Sequence, residues 1–454
     1  MRMRMLRLER SLPQALGARV VVYAVAITAL ALGQPARAQS GAGEALTLGG
    51  VYDQVKRANP KLAAAHSLTL AAQARVSGAK RPPDPQVQFG LMNYTLPGLA
   101  PMETVGMSQL QVMQMVPLPG KLALAGKTAS AQASATNERA RDLSWELRSQ
   151  SAMAFYDLYA TDRQLDIARE TTRLLQDIQK TAEAMYRVGE GRQADVLRAQ
   201  VEIARMAEDT LRMQAMRATM AARLNALMDR GGDVPVSAPA LPEFPDSAPT
   251  RAWLDSVSSE GRPMIRAGIE DVRGAEASQA LARKELWPDL QVGVQYAQRG
   301  GEMGGTQRMG SLMLGASVPV FARDRQLRMR EEAAAMKQMA EADLASMRAE
   351  TRGKIGEAYA NLTRARTLAQ LYRTTVLPQA EVTVASALAA YRVGKVDFMT
   401  LLDDRMTVNK YQQELYALEA DQGKAWADLE MLIGRELLDA NRIGTATAVT
   451  RGER

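Results

Sequence analysis

Side chains able to catalyse a reaction or to hold a cofactor are few in this sequence. His66 is the only histidine among 454 residues, and there is no cysteine. A lone histidine has no partner for a catalytic triad or a zinc site. Without cysteine, the chain can form neither a disulfide framework nor a lipid-modified N-terminal cysteine. The composition therefore indicates neither an enzyme nor a cofactor-binding protein.

One segment has part of the pattern of a phosphate-binding loop. The stretch GKLALAGKT begins at Gly120, and it places one residue too many between its two glycines for such a loop. The same stretch also opens a long segment without proline. We therefore predict that it is the start of a helix and that it binds no nucleotide.

Methionine is the one abundant side chain with metal chemistry. Several of the 26 methionines lie in or near the predicted strands: Met92, Met102, Met107, Met113, Met115, Met303, Met309 and Met313. Thioethers are soft ligands that suit Cu(I) and similar ions. Met92, Met113 and Met115 are therefore candidate soft-metal ligands. The alternative is that these flexible side chains only fill packing space.

A duplicated unit organises the whole chain. The stretch YRVGEGRQADVLRAQ starts at Tyr186, and YRVGKVDFMTLLDDR starts 205 residues later, at Tyr391. Three further landmarks recur in the same order: Pro83-Asp84-Pro85 with Pro288-Asp289, Val116-Pro117 with Val318-Pro319, and Arg223 to Arg230 with Asp428 to Arg435. The spacing is 205 residues throughout, except for 202 at the Val-Pro pair. Four landmarks in one order indicate an internal repeat.

Each half predicts a helix, a β-hairpin and then two very long helices. The hairpins are predicted at residues 84–117 and 288–320 because apolar and polar residues alternate there, which gives four strands per chain. Between Lys121 and Val188 there is no proline, so a continuous helix would be roughly 100 Å long. We expect such helices to pack side by side as an antiparallel coiled-coil wall.

Gly189 and Gly394 are predicted to be the tips of two long helical hairpins. Each glycine follows a helical run, and the helical pattern resumes within a few residues. Because a whole helix separates each tip from the strands, both tips should lie at one end and all strands at the other.

The N-terminus has the pattern of a secretory signal. Several arginines lead into VVVYAVAITALALG and then into Ala36-x-Ala38, and this apolar run is shorter than the ~18 residues of a spanning helix. Without this leader, the net charge falls from +7 to about +2, which argues against nucleic-acid binding. The predicted segments are a signal peptide at 1–38, a first repeat at 39–230, a proline-rich linker at 231–253, a second repeat at 254–437 and a C-terminal tail at 438–454.

The four strands of one chain, which have one apolar face, are too few to close a membrane barrel. An open sheet cannot lie in lipid with unpaired edges, and membrane barrels need about eight strands or more. We therefore expect several chains to close one barrel together, with their helices forming one tube beneath it.

The duplicated Tyr-x-x-Gly tips, the Pro-Asp strand entries and the Val-Pro strand exits resemble the TolC-like outer-membrane efflux duct family. The resemblance implies a trimer with a 12-stranded barrel in the outer membrane of a Gram-negative bacterium and a helical tunnel in the periplasm. It also implies a periplasmic adaptor, an inner-membrane pump that supplies the energy, and no chemistry in the duct itself. The alternatives are a periplasmic adaptor, which would have a single hairpin and no repeat, and a structural coiled coil without strands.

The resemblance also implies roles for individual residues. The expected adaptor-docking residues are Arg187, Val188, Gly189, Arg392, Val393 and Gly394. Asp195 matches an acidic position of a closed-state latch and Tyr391 matches its aromatic partner, whereas Val396 replaces the basic residue of that latch. Asp403 and Thr400 match positions at the narrowest point of the duct. The alternatives are that the glycines only end helices and that Asp403 is an ordinary solvated charge near Arg405.

The resemblance leaves the cargo open. The stretch MVPLPGKL and Pro83-Asp84-Pro85 are similar to the heavy-metal branch of the family. Organic toxicants, secreted proteins or unselective passage are the alternatives.

Overall fold

The computed structural model describes residues 45–95, 97–102, 105–300 and 305–439. The predicted signal peptide, Met303 and residues 440–454 of the predicted tail lie outside these ranges. The described chain is mainly helical with a few antiparallel strands, which confirms the predicted fold class. None of its helices is both long enough and apolar enough to cross a membrane.

The two repeats contain the same order of elements. The first consists of α1 (Leu48–Ala58), α2 (Pro60–Ala79), β1 (Gln86–Met92), β2 (Tyr94–Thr95), β3 (Ala100–Pro101), β4 (Met107–Val116), α3 (Lys121–Arg187) and α4 (Gln193–Leu227). The second consists of α5 (Arg251–Gly261), α6 (Pro263–Lys284), β5 (Asp289–Gly300), β6 (Thr306–Ser317), α7 (Gln326–Leu371), a π-helical turn (Tyr372–Val376), α8 (Leu377–Arg392) and α9 (Phe398–Ile433).

Each repeat begins with two helices, where the sequence analysis expected one. Pro60 and Pro263 cause the break, because proline takes the first position of the second helix and forces the preceding residue out of helical geometry. Asn59 and Arg262, the preceding residues, have extended backbone with ψ of 120° and 122°. The Asn59 side chain also accepts a hydrogen bond from the Lys61 backbone N–H, which caps α2.

Helix α3 is a single helix of 67 residues, about 100 Å long. Helices α4 and α9 have 35 and 36 residues, so each covers about half of that length. Asn59 Nδ2 donates to the Leu227 carbonyl at 2.9 Å, so α2 begins where α4 ends. Helices α2 and α4 together therefore pack along α3. Helices α6 and α9 each contact both α3 and α7.

The second repeat interrupts its long helix with the π-helical turn. Pro378 has no backbone N–H, and its ring would clash with the carbonyl four residues earlier in a regular helix. The chain adapts because the Leu377 N–H bonds to the Tyr372 carbonyl, five residues back. Arg173 occupies the equivalent position in α3, which therefore continues without a break.

The four long strands form one antiparallel sheet in the order β1-β4-β5-β6, so β1 and β6 are its edges. Large apolar side chains cover one face and are exposed: Val87, Phe89, Leu91, Leu110, Val112, Leu290, Val292, Val294, Tyr296, Leu312 and Leu314. On the other face, Gln88, Gln111 and Gln295 lie side by side across three strands. The first hairpin differs from expectation because its loop contains the two-residue pair β2 and β3.

The main core lies midway along α3, where α4 and α9 end. Trp426, Tyr156 and Phe155 are its largest fully buried side chains. The Tyr156 ring packs where a Cβ on Gly423 would lie only 2.3 Å from it, so this contact requires glycine. The linker joins this core, because Leu46 exchanges backbone hydrogen bonds with Ala238 and Ala240 at 2.9 Å each.

Candidate functional site

The candidate site is the end of the molecule at which the two helical hairpins turn. Gly189 and Gly394 have φ of +82° and +68°, in the left-handed region that favours glycine. After each turn the chain bonds back to the helix it has left: Glu190 N–H donates to Met185 O and Lys395 N–H to Ala390 O, at 3.0 and 2.9 Å. The sequence pattern predicted these helix stops correctly.

Exposed side chains surround both turns. Val188 and Val393 are 70% and 66% exposed, although valine is apolar. Arg187 and Arg392, which precede them, are exposed as well. We call Arg187, Val188, Gly189, Arg392, Val393 and Gly394 the tip surface. An apolar residue beside a cation on each turn is a surface suited to contact with another protein.

The two hairpins pack against each other directly behind the tip surface. Leu175, Ala199, Tyr391, Phe398 and Leu401 belong to one buried cluster that includes residues of α3, α4, α8 and α9. The Tyr391 and Phe398 rings meet edge to face at 5.9 Å between centroids. The turns are therefore held at a fixed position relative to each other.

A groove between the two turns contains both predicted latch residues. Asp195 and Tyr391 line it together with Met185, Arg198 and Lys395. Burial, and then the nearby Asp195 carboxylate, raise the pKa of Tyr391. The Tyr391 hydroxyl has no hydrogen-bond partner among the described residues. The groove thus brings the pair together without a hydrogen bond to the tyrosine.

The start of α9 contains the predicted constriction residues. Asp397 caps the helix by accepting hydrogen bonds from the Thr400 hydroxyl and the Thr400 backbone N–H, which lower the pKa of Asp397. Thr400 is therefore part of the helix cap, although its side chain is exposed. Asp403 is exposed and Asp404 is half-buried, so the two adjacent carboxylates differ in environment.

Arg405 is a feature that the sequence analysis did not identify as important. It is only 9% exposed, and its Nε and Nη2 have no hydrogen-bond partner among the described residues. Burial lowers the pKa of Arg405, whereas the Glu170 and Glu381 carboxylates raise it. A signal existed in the spacing, because Phe398, Leu401, Arg405 and Val408 follow the three-four period of the buried side of α9.

The candidate soft-metal ligands lie at the opposite end, on the glutamine face of the sheet. Met92 pairs with Met107 across two strands, Met113 with Gly293 and Met115 with Gln291. Among the described residues, no group of histidine and carboxylate side chains could hold a metal ion. His66 is exposed on α2.

Known structures share this architecture. CusC, described as forming a transmembrane channel, aligns with a TM-score of 0.73 and 16% identity over 86% of this chain and 92% of its own. The outer membrane protein VceC of Vibrio cholerae aligns with the same TM-score and identity, over 86% and 97%. The outer-membrane channel OprN aligns with a TM-score of 0.68 and 19% identity, over 85% and 89%. A comparison with curated protein sequences gives no significant match.

The family comparison agrees with the internal repeat. The model of the outer membrane efflux protein family matches residues 51–230 and, a second time, residues 256–435. The two matches cover most of the sequence, and each spans one helical hairpin with its strands. This chain belongs to the outer membrane efflux protein family.

Proposed function

We propose that this protein is the exit duct of a tripartite efflux system. Three copies would close a 12-stranded barrel in the outer membrane of a Gram-negative bacterium, and their helices would form a tunnel in the periplasm. Substrate would pass through the duct passively, because an inner-membrane pump supplies the energy. The resemblance and the family membership both support this assignment, since members of the family are channels rather than enzymes.

The exposed apolar face of the sheet is the observation that carries the proposal. Phe89 and Leu314 are 71% and 76% exposed, and many neighbours on the same face are also exposed. A face of this size is unfavourable in water, and lipid is the medium that covers it without cost. Lipid also requires that the edge strands β1 and β6 be paired, which needs additional copies.

The tip surface is the proposed docking site for the periplasmic adaptor. It lies a full α3 length, about 100 Å, from the strands, which suits contact with partners in the periplasm. Val188 and Val393 provide apolar contact, while Arg187 and Arg392 provide charge. A duct docked in this way would receive substrate directly at the end where the hairpins turn.

The same end is the proposed gate. In a trimer, any residue that faces the axis is presented three times around a narrow opening. We assign Asp403 to the constriction because its side chain is exposed and forms no ion pair among the described residues. Asp195 and Tyr391 would form a latch that closes when the hydroxyl bonds to the carboxylate, and Thr400 would hold the start of α9 through the Asp397 cap.

Soft metal cations such as Cu(I) are the proposed cargo, as opposed to organic toxicants. The observation in favour is the meeting of Met113 and Met313 above Gly293: a Cβ at that glycine would lie 3.0 Å from Met113 Cγ and 3.5 Å from Met313 Cε. Both methionine side chains therefore approach the same gap on the glutamine face, which would be the inner face of the barrel. Thioether sulfur suits soft ions, and organic cargo has no need of it.

Resistance assays in a host that lacks its own duct test both parts of this proposal. The wild-type gene, expressed with the matching pump and adaptor, should restore resistance, and the protein should be recovered in the outer-membrane fraction. Recovery in the soluble periplasmic fraction would contradict the duct. Replacing Met113 and Met313 by leucine removes both sulfur atoms and keeps a similar apolar volume. This double variant should therefore have lower copper resistance and unchanged resistance to organic compounds. If the variant and the wild type give the same copper resistance, the two methionines take no part in cargo transfer.

A further inference from the structure

The connection from the sheet to the long helix differs between the two repeats. Residues 118–120 join Val116-Pro117 to α3, whereas residues 320–325 join Val318-Pro319 to α7. These additional residues restore the repeat spacing from 202 to 205. We call residues 320–325 the junction segment. It is folded into turns, because Arg325 N–H donates to Phe321 O at 3.1 Å and Leu327 N–H to Ala322 O at 2.9 Å.

The cations of the two connections have different surroundings. In the first repeat, Lys121 is 4% exposed and lies 2.8 Å from the Asp289 carboxylate. The junction segment instead contains Arg323 and Arg325, whose side chains are exposed and form no ion pair within the described part of the chain. Asp324, the one acidic residue of the segment, pairs with neither of them. Two guanidinium groups are therefore available to an anion from outside the chain.

Large apolar side chains surround these arginines. Val320 and Phe321 are 80% and 76% exposed, and Trp287, just before β5, is 63% exposed. Trp287, Phe321 and Arg325 line one hollow at the end of the sheet. Exposed apolar side chains that lie this close together mark a surface at which something other than water is bound.

The apolar patch continues the exposed face of the sheet. Leu312, Leu314 and Ala316 lie on that face of β6, and Val318 and Val320 are exposed at the next alternate positions. Alternate residues of a strand point to the same face, whichever strand pairs with its edge. In the proposed membrane barrel, the patch therefore faces lipid at the level where the strands end and the helices begin.

We propose that the junction segment and Trp287 bind anionic phospholipids of the periplasmic leaflet. Trp287 and Phe321 occupy the interfacial level that aromatic side chains prefer in membrane barrels. Arg323 and Arg325 contact the lipid phosphate groups, with a preference for anionic over zwitterionic lipid of about fivefold for each arginine. This inference rests on the proposed function, which places the helices in the periplasm, and it adds the lipid partner at the membrane boundary.

Spin-labelled lipids test the position of Trp287. The chain has four tryptophans, so the fluorescence of the Trp287→Phe variant is subtracted as background. In vesicles of phosphatidylcholine and phosphatidylglycerol, a spin label at carbon 5 of the acyl chain should quench Trp287 more than a label at carbon 12. Quenching by aqueous iodide without quenching by lipid would overturn the proposal. Protection from both quenchers would overturn it as well, because protein would then cover the patch.

A comparison of two lipid headgroups tests the arginines. A small fraction of labelled phosphatidylglycerol in phosphatidylcholine vesicles should quench Trp287 more strongly than the same fraction of labelled phosphatidylcholine. Arg323→Gln with Arg325→Gln should abolish this preference. The matched control, Arg348→Gln with Arg352→Gln, removes the same charge from exposed positions of α7 about 35 Å or more away and should keep the preference. A preference that survives the first double variant, or is lost equally in both, would refute the arginine contact.

Flotation of the same vesicles separates this inference from the proposed function. Protein that floats with the vesicles while lipid labels leave Trp287 unquenched would refute the lipid contact, and the duct would still stand. Protein that stays behind when the vesicles float would instead refute the membrane duct itself.

Discussion

The left-handed backbone at Gly189 and Gly394 makes the tip surface sensitive to β-branched side chains. We expect Gly394→Val to reduce efflux resistance to the level of the empty host, because φ of +68° is strained for valine by about 1–2 kcal/mol and the turn must change shape. The trimer should survive, since no atom lies within 4 Å of the added Cβ position. Resistance assays and light scattering check both expectations.

Gly353 supplies the matched control for the tip variants. It lies within α7, and the space around its Cβ position is also open. Gly353→Val should leave resistance near the wild-type level. If Gly394→Val and Gly189→Val retain full resistance as well, the tip surface is not where the adaptor docks.

Asp403 should control the ion preference of the duct. In the proposed trimer, three exposed carboxylates around one constriction would attract cations, and rings of aspartate are a common source of cation selectivity in pores. Asp403→Asn should therefore reduce the preference for potassium over chloride and weaken block by divalent cations in planar bilayers. Asp246→Asn removes the same charge from the exposed linker and should change neither property. Equal ion selectivity in the wild type and in Asp403→Asn would show that Asp403 does not lie at the constriction.

Single residues at this site were predictable to different degrees. The glycine turns could be predicted because a helix stop is a local property of the chain. The repeated motif alone could not predict that Tyr391 is buried while Tyr186 is 48% exposed. The difference arises from contact between hairpins that are distant in sequence. Arg405 was missed for the same reason, because its burial depends on α3 and α8 as well as on its own helix.

At the scale of elements, the end of α9 depends on one buried ion pair. Glu430 is 1% exposed, accepts the backbone N–H groups of Leu437 and Leu438, and lies 3.2 Å from Arg148 Nε. The Arg148 guanidinium also stacks on the Tyr52 ring at 3.9 Å. Removing one member of a buried pair costs about 3–5 kcal/mol, so Arg148→Met should lower the apparent melting temperature clearly.

The pH dependence of that variant follows from the buried carboxylate. Burial raises the pKa of Glu430 above its ordinary value of 4.5, and Arg148 opposes the rise. Folding therefore favours the protonated carboxyl, and stability is lost as the pH rises above about 4.5. Arg148→Met removes the opposing charge, so its loss of stability should be larger at pH 8 than at pH 5. Adding Glu430→Gln should remove most of this difference, as circular dichroism melting curves would show. A loss that is the same at both pH values would contradict this explanation.

Elements could be predicted from the sequence where the cause is local. The 67 residues of α3 and the two hairpins follow from proline placement and from alternation of apolar and polar residues. Pro378 was visible in the sequence, but the π-helical turn was not expected, because a proline can also end or kink a helix. The short strands β2 and β3 escaped prediction since two-residue strands produce no periodic pattern.

At the scale of the whole molecule, one chain is an incomplete object. Within the described residues it exposes an apolar sheet face and two strand edges that have no partner strand. The repeat gives a physical reason for this arrangement: the second half of one chain can be completed by the first half of another. In the proposed assembly, copies added with the same relation would form a ring, and twelve strands from three copies would exceed the minimum for a membrane barrel.

The mass of the detergent-solubilised protein, measured by light scattering with the detergent contribution subtracted, tests the central claim most directly. A duct made of several chains requires a stable oligomer, because separated chains would expose the edges of the sheet. We predict a single species with three times the mass of the mature chain, unchanged on dilution. A monodisperse monomer that retains its secondary structure would contradict the account.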